Sequence, residues 1–384
     1  MNEPMAGGRY LGQQPSRRAV LGSVAGLGLA GLAGLPRTPA PRTQPRAAAA
    51  LSNLQLAGQR VISSYSGLTP PQSLFNDITA GQTAGVIFFG GNISSDTQIA
   101  GVITQLRQAQ AQSPIGVPLL LMTDQEGGEV RRLPGAPTLS EKQIGASSNP
   151  VAAATSAGTG AGQNLAGVGM NVNLAPVLDV YYKSGNFIDQ YQRSYSNNPS
   201  VVSECGQAFI TAQQATGVAA TAKHFPGLGS ATKNQNTDTG PVTLTVSLTK
   251  LHTIDEVPYP TAVSAGVKLV MVSWAIYPAL DPKLPAGLSP TIIGQELRGH
   301  NNFTGVTITD ALEAGALNAF GSTGQKAVTA AGAGMDLILC SAQDVTQAEA
   351  ATSALATALG NGQLDPNAFN AAVNRVTALR AGLF

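Results

Sequence analysis

Lys223-His224 sits directly after the apolar run Val218-Ala219-Ala220-Thr221-Ala222, and Pro226 and Gly227 then force a turn. Two ionisable side chains therefore stand where a buried strand ends. The same arrangement recurs along the chain. Other apolar runs end in Thr123-Asp124-Gln125-Glu126-Gly127-Gly128, in the stretch closed by Asp179, in Ser273-Trp274 with Tyr277-Pro278, and in Thr309-Asp310. Asp189 and Arg193 follow Asp179 in a loop. Carboxylates, cations and the one Trp of the chain, all at strand ends, have the chemistry of a carbohydrate site. Sugar hydroxyls take hydrogen bonds from charged side chains, and the apolar face of the ring takes an aromatic surface.

Eight apolar runs must position these groups: 59–64, 85–89, 118–122, 171–174, 218–222, 269–273, 306–309 and 336–339. Each is nearly uniformly apolar, as strands covered on both faces should be. Helical stretches alternate with them, at 95–112, 150–167, 200–216, 289–299 and 323–333. Two closing helices follow, near 345–359 and 366–381. Eight strand–helix units predict a (β/α)8 barrel of the TIM type, forming a single catalytic domain over 51–384. No G-x-G-x-x-G follows the first strand, which argues against a dinucleotide-binding open sheet. In a barrel the strand-end residues converge on one rim.

Composition narrows the function further. The 384 residues are 43% hydrophobic and 11% charged, which suits a well-buried globular chain. The net charge of +1 is uneven: residues 1–50 contribute +5, leaving the body at −4, so nucleic acid is not the expected partner. Ser16-Arg17-Arg18-Ala19-Val20-Leu21 leads into a Gly-diluted apolar stretch stopped by Pro36, and small residues follow at 47–50. This pattern predicts a twin-arginine export signal over 1–50, with a mature protein outside the cytoplasm. The stretch is shorter than the ~20 apolar residues of a spanning helix, so no stable membrane span is expected after processing. Export would permit a Cys205–Cys340 disulfide, but one pair is no framework, and two buried free thiols are the expectation. With only His224, His252 and His300, no metal site is expected, and no cofactor.

Taken together, residues 84–93, Asp124-Gln125-Glu126-Gly127-Gly128 with Arg132, residues 173–180, Arg193-Ser194-Tyr195, the stretch from Lys223 to Gly227, Tyr277-Pro278-Ala279-Leu280, Leu288-Ser289-Pro290 and residues 305–312 run in the order of one family. The chain resembles glycoside hydrolase family 3, in its single-barrel β-N-acetylhexosaminidase branch. The resemblance implies a retaining exo-glycosidase that removes terminal β-linked N-acetylglucosamine, of cell-wall peptidoglycan origin, and a monomer is the expected state. It implies Asp310 as nucleophile and Asp124, Arg132, Arg193, Lys223 and His224 as ligands of the sugar hydroxyls. Asp179 would orient a Lys or Arg, and Glu126 would brace the ligands from behind.

One loop departs from the pattern. The branch closes the segment after strand five with Asp-Ser-His, whose Asp–His dyad supplies the proton. Here Asp238 matches the Asp, but Gly240 stands where the His would be. Trp274 replaces a further His that the branch often carries, and neither His252 nor His300 is placed to substitute. Three readings follow. Asp238 itself donates the proton with a raised pKa; Glu313 or Asp189 does so; or the protein binds sugar without efficient turnover. A β-glucosidase is the further alternative, disfavoured because the second domain that supplies the acid in such relatives is not found in this chain.

Overall fold

The computed structural model describes residues 50–384, so the twin-arginine stretch lies outside the described residues. Eight parallel strands form the expected barrel. They are β1 (Val61–Ser63), β2 (Gly85–Ile87), β3 (Leu120–Thr123), β4 (Val172–Asn173), β5 (Ala219–Phe225), β6 (Leu269–Val272), β7 (Val306–Thr309) and β8 (Ile338–Leu339). Each pairs with its neighbour in sequence, and β8 returns to β1 through Val61↔Ile338 and Ile62↔Leu339. The last seam, β7 to β8, is thinner. A single bridge, Ile308↔Leu337, joins them. The Thr309 hydroxyl accepts a hydrogen bond from Leu339 N at 2.9 Å, and the Thr307 hydroxyl one from Asp336 N at 2.8 Å.

Uniformly apolar strands are explained by period-two alternation between two apolar environments. Ile62, Ile87, Leu120, Met122, Leu269, Met271, Val306, Ile308 and Leu339 form one cluster inside the barrel. Their neighbours Val61, Val270, Val272 and Ile338 join a cluster under the helices, and Val86, Leu119 and Leu121 join another. The closing helix Pro366–Ala381 adds Val376 to the interior cluster. Its Arg380 is fully buried and donates to Pro118 O at 2.7 Å.

The helices begin where capping chemistry allows. Ser95, Asn149, Asn198 and Ser322 cap Asp96–Gln110, Pro150–Val168, Pro199–Gln214 and Thr323–Ala333 through their side chains. The stretch expected as an ordinary helix over 289–299 is instead a wide-turned π-helix, Thr291–His300. Strand five runs to Phe225, so Lys223 and His224 lie within its last turn of pleat, not beyond its end. Cys205 and Cys340 are both free and buried, and burial pushes the Cys205 thiol up to about 12. Among the described residues, no helix is long and apolar enough to cross a membrane.

Candidate active site

A cavity of about 280 Å³ opens at the C-terminal rim of the barrel. Its floor includes Ile87, Leu174, Met271 and Leu339, from β2, the end of β4, β6 and β8. One side chain from each alternate strand is how a barrel interior is layered, so the topmost apolar layer of the core doubles as the base of the site. Asp124, Arg132, Arg193, Lys223, His224, Asp238 and Asp310 all line this same cavity.

Two buried carboxylates organise the polar wall. Glu126, 1% exposed, accepts Arg193 Nε at 2.8 Å and Arg193 Nη2 at 2.7 Å, and lies 2.7 Å from Lys223 Nζ. Lys223 Nζ also donates to Asp124 Oδ1 at 2.7 Å. Burial alone would raise the Glu126 carboxyl, but Arg193 and Lys223 outweigh it and hold it down to about 2. Asp179, fully buried, is the second. It takes His224 Nδ1 at 2.8 Å and the backbone N–H of Leu228 at 2.7 Å. The contact holds the Nδ1 edge of His224 against Asp179 and fixes the ring's orientation. Asp179 thus orients a histidine, where the sequence suggested a Lys or Arg.

A hairpin carries Arg132 to the cavity. Gln125–Gly127 pairs antiparallel with Val130–Arg131, and Arg132 N donates to Asp124 O at 3.2 Å. The turn needs glycine: Gly128 has φ +56°, and a Cβ on Gly127 would lie 2.2 Å from Leu139 O. Arg132 emerges with its Nε buried and without a hydrogen-bond partner among the described residues.

Asp310 follows β7 directly. Its Oδ1 accepts Ala311 N at 2.7 Å, and among the described residues Oδ2 accepts none. Asp238 faces it from the loop after β5. That loop is clipped to the chain beyond β7: Gly315 N donates to Asp238 O at 2.8 Å, and Ala316 N to Thr237 O at 2.9 Å. The Asp238 carboxyl is shifted upward, first by desolvation in the cavity and then by the charge of Asp310, with His224 and Arg193 opposing. Two facing carboxylic groups, one pushed toward its protonated form, are an acid–base arrangement.

The other two carboxylates considered for the acid role are elsewhere. Asp189 is buried and accepts Lys142 Nζ at 2.8 Å and Gly185 N at 2.7 Å. Glu313 accepts the Ser341 hydroxyl at 2.7 Å and Gln347 Nε2 at 3.1 Å. Neither lines the cavity. Trp274 is not the expected stacking face. It is completely buried, and its Nε1 donates to Ala311 O at 2.8 Å, buttressing the residue after Asp310. The aromatic surface at the cavity comes instead from Phe89, Phe187 and Tyr191. Phe187 and Tyr191 pack edge-to-face at 6.3 Å, on the same loop as Arg193. Aromatic residues in that short loop were the available signal for them.

Comparison with known proteins agrees with this architecture. Residues 53–379 match the glycosyl hydrolase family 3 N-terminal domain. An uncharacterized secreted glycosyl hydrolase of Arthroderma benhamiae is 46% identical over 329 residues, covering 85% of this chain and 93% of that protein. A β-hexosaminidase of Xylella fastidiosa is 33% identical, covering 73% of this chain and 85% of that one. The family 3 β-N-acetylglucosaminidase structure from Paenibacillus sp. superposes with a TM-score of 0.81 at 34% identity. That match spans 87% of this chain and 63% of the Paenibacillus protein. The chain belongs to glycosyl hydrolase family 3, and its relatives are β-N-acetylhexosaminidase-like hydrolases.

Proposed function

We propose that this chain is a retaining exo-glycosidase that removes terminal β-linked N-acetylglucosamine. The observation that carries the proposal is the pairing in one cavity of Asp310, with a free oxygen, and Asp238, with an upward-shifted carboxyl. In the first step an Asp310 oxygen attacks the anomeric carbon, and the bond to the glycosidic oxygen breaks. Asp238 passes its proton to that departing oxygen. In the second step water attacks the glycosyl–Asp310 ester, Asp238 takes the water's proton, and Asp310 leaves as a carboxylate. Asp124, Arg132, Arg193, Lys223 and His224 hold the sugar hydroxyls, and Tyr191 and Phe187 supply apolar contact at its rim. The reaction needs no cofactor. The enzyme acts as a monomer, exported by the twin-arginine route, on glycan derived from the cell wall.

A second reading has its own support. Gly240 stands where the branch carries the His of its proton-donating dyad, which favours a sugar-binding protein with weak turnover. One experiment separates the two: an activity panel of unactivated β-N-acetylglucosaminides, β-glucosides and muropeptides on the chain and on Asp310→Asn. Hydrolysis of the acetamido substrates, lost by at least about 10³-fold in a folded Asp310→Asn, supports the glycosidase. Unchanged hydrolysis in that variant removes Asp310 as nucleophile. Binding without turnover establishes the second reading, and preference for β-glucosides overturns the substrate class.

A further inference from the structure

Away from the barrel mouth, four side chains with metal-ligating chemistry converge on the outer helical layer. His252 lies on the wide turn Leu251–Asp255, and Glu256 follows it. Glu296 and His300 lie on the π-helix Thr291–His300. One ligand atom from each of His252, Glu256, Glu296 and His300 falls within 4.8 Å of the other three. None of the four lines the sugar cavity. Each helical segment contributes a His and a Glu four residues apart, which a helical turn places on one face.

The cluster has features that a chance meeting of polar groups would lack. Glu256 is 2% exposed, and its Oε1 is buried with no hydrogen-bond partner among the described residues. Its other oxygen, Oε2, accepts Asn301 Nδ2 at 2.7 Å, and the same amide donates to Glu296 O at 3.2 Å. Asn301 therefore fixes the carboxylate while leaving one oxygen for another partner, as outer hydrogen bonds do for metal ligands. His252 Nε2 lies 2.8 Å from Glu296 Oε1. The His252 and His300 rings stack at 4.4 Å. His300 is exposed and His252 partly so, so the cluster is open to solvent on its histidine side.

We propose that His252, Glu256, Glu296 and His300 form a binding site for one divalent transition-metal ion of the zinc class. Two imidazoles and two carboxylates are a donor set zinc takes, with bonds of about 2.0–2.2 Å and tetrahedral geometry. Ligand atoms around such an ion stand about 3.3 Å apart, so the cluster closes by a small side-chain movement. The ion would neutralise two carboxylates that now stand side by side. The site ties the segment before β6 to the helix before β7, so its occupation stabilises the wall of the barrel without touching the sugar.

The test is zinc titration of the purified, chelator-stripped chain, read by competition with a chromogenic zinc chelator and by the thermal midpoint. The expected result is one ion per chain and a raised thermal midpoint. His300→Ala, at an exposed position, should weaken zinc binding by at least about tenfold, and Glu256→Gln should do the same. Thermal midpoints measured without zinc separate lost ligation from lost folding. Zinc binding that persists unchanged in His252→Ala/His300→Ala places the ion elsewhere and overturns the assignment. Absence of binding to the unmodified chain at micromolar zinc also overturns it.

Discussion

Replacing Asp238 by Asn tests the proton-donor assignment most directly. The substitution keeps the shape and removes the titrating group. Its structural cost is small, because what holds residue 238 is backbone: Gly315 N donates to its carbonyl at 2.8 Å, and Asn236 Oδ1 accepts from its N–H at 2.8 Å. The residue lines the cavity at its solvent-open edge, so its carboxyl is partly desolvated although the residue as a whole is exposed, and among the described residues that carboxyl carries no hydrogen bond that Asn would break. Folding should therefore be unchanged within the usual ±0.5 kcal/mol of surface substitutions. Catalysis should not be. Loss of a general acid costs about 10²–10⁴-fold where the leaving group is a poor one, or roughly 3–5 kcal/mol of transition-state stabilisation. An alkyl glycoside or a chitobiose-type disaccharide should show that full loss in kcat/KM. A p-nitrophenyl glycoside departs without protonation and should lose less than about tenfold. The pH profile supplies a second readout. A general acid works protonated, so activity falls as pH rises through its pKa. Since the Asp238 carboxyl is shifted upward, that basic limb should lie above the ordinary aspartate value of 3.8. In Asp238→Asn the limb should disappear. Equal losses on both substrate types, or an unchanged limb, would refute the reasoning.

Gly240→His should increase kcat/KM on unactivated substrates by about tenfold or more; a Cβ at Gly240 meets nothing within 4 Å and its φ is ordinary, so no gain would show that the loop cannot form the dyad. Glu126→Gln should change the acid dependence of stability. A carboxyl lowered from 4.5 to about 2 contributes roughly 3 kcal/mol that is fully present above pH 4.5 and is lost as pH falls toward 2. Denaturant melts of the unmodified chain should therefore weaken across that window, and those of Glu126→Gln should be flatter there and weaker at neutral pH. Identical slopes would mean that the Arg193–Glu126–Lys223 network is not what holds this wall.

The barrel was legible because its strands are covered on both faces. Val61 and Ile62, or Leu120 and Leu121, face different environments, yet both are apolar, so each strand reads as a continuous run. The candidate site was legible because a polar residue at the end of such a run has only the rim to occupy. That logic placed Asp124, Lys223, His224 and Asp310 at one cavity. It failed where position depends on partners far away in sequence. Trp274 ends a strand, yet its indole turns inward to Ala311 O. Asp179 met His224 through side-chain geometry that no spacing encodes. The hairpin Gln125–Gly127/Val130–Arg131 is too short to show alternation. His252 and His300 are 48 residues apart in sequence and meet only because adjacent barrel units pack side by side.

The clipping of the Asp238 loop onto Gly315 and Ala316 has an evolutionary reading. A Cβ at Gly315 would lie 2.5 Å from Thr239 C and 2.9 Å from Gly240 N, so the chain beyond Asp310 is shaped to receive this loop. The groups that would grip the sugar are braced separately, by buried Glu126 and Asp179 on the strand ends. On the proposed mechanism, proton delivery would rest on the clipped loop and sugar recognition on the braced strand ends, the two linked by the charges of His224 and Arg193 acting on Asp238. On that mechanism, exchanging residues 238–240 would alter the proton donor while Glu126 and Asp179 still brace the rim from behind. The working pH and the turnover of such a barrel would then be set by a few residues of one exposed clip, and not by its buried core.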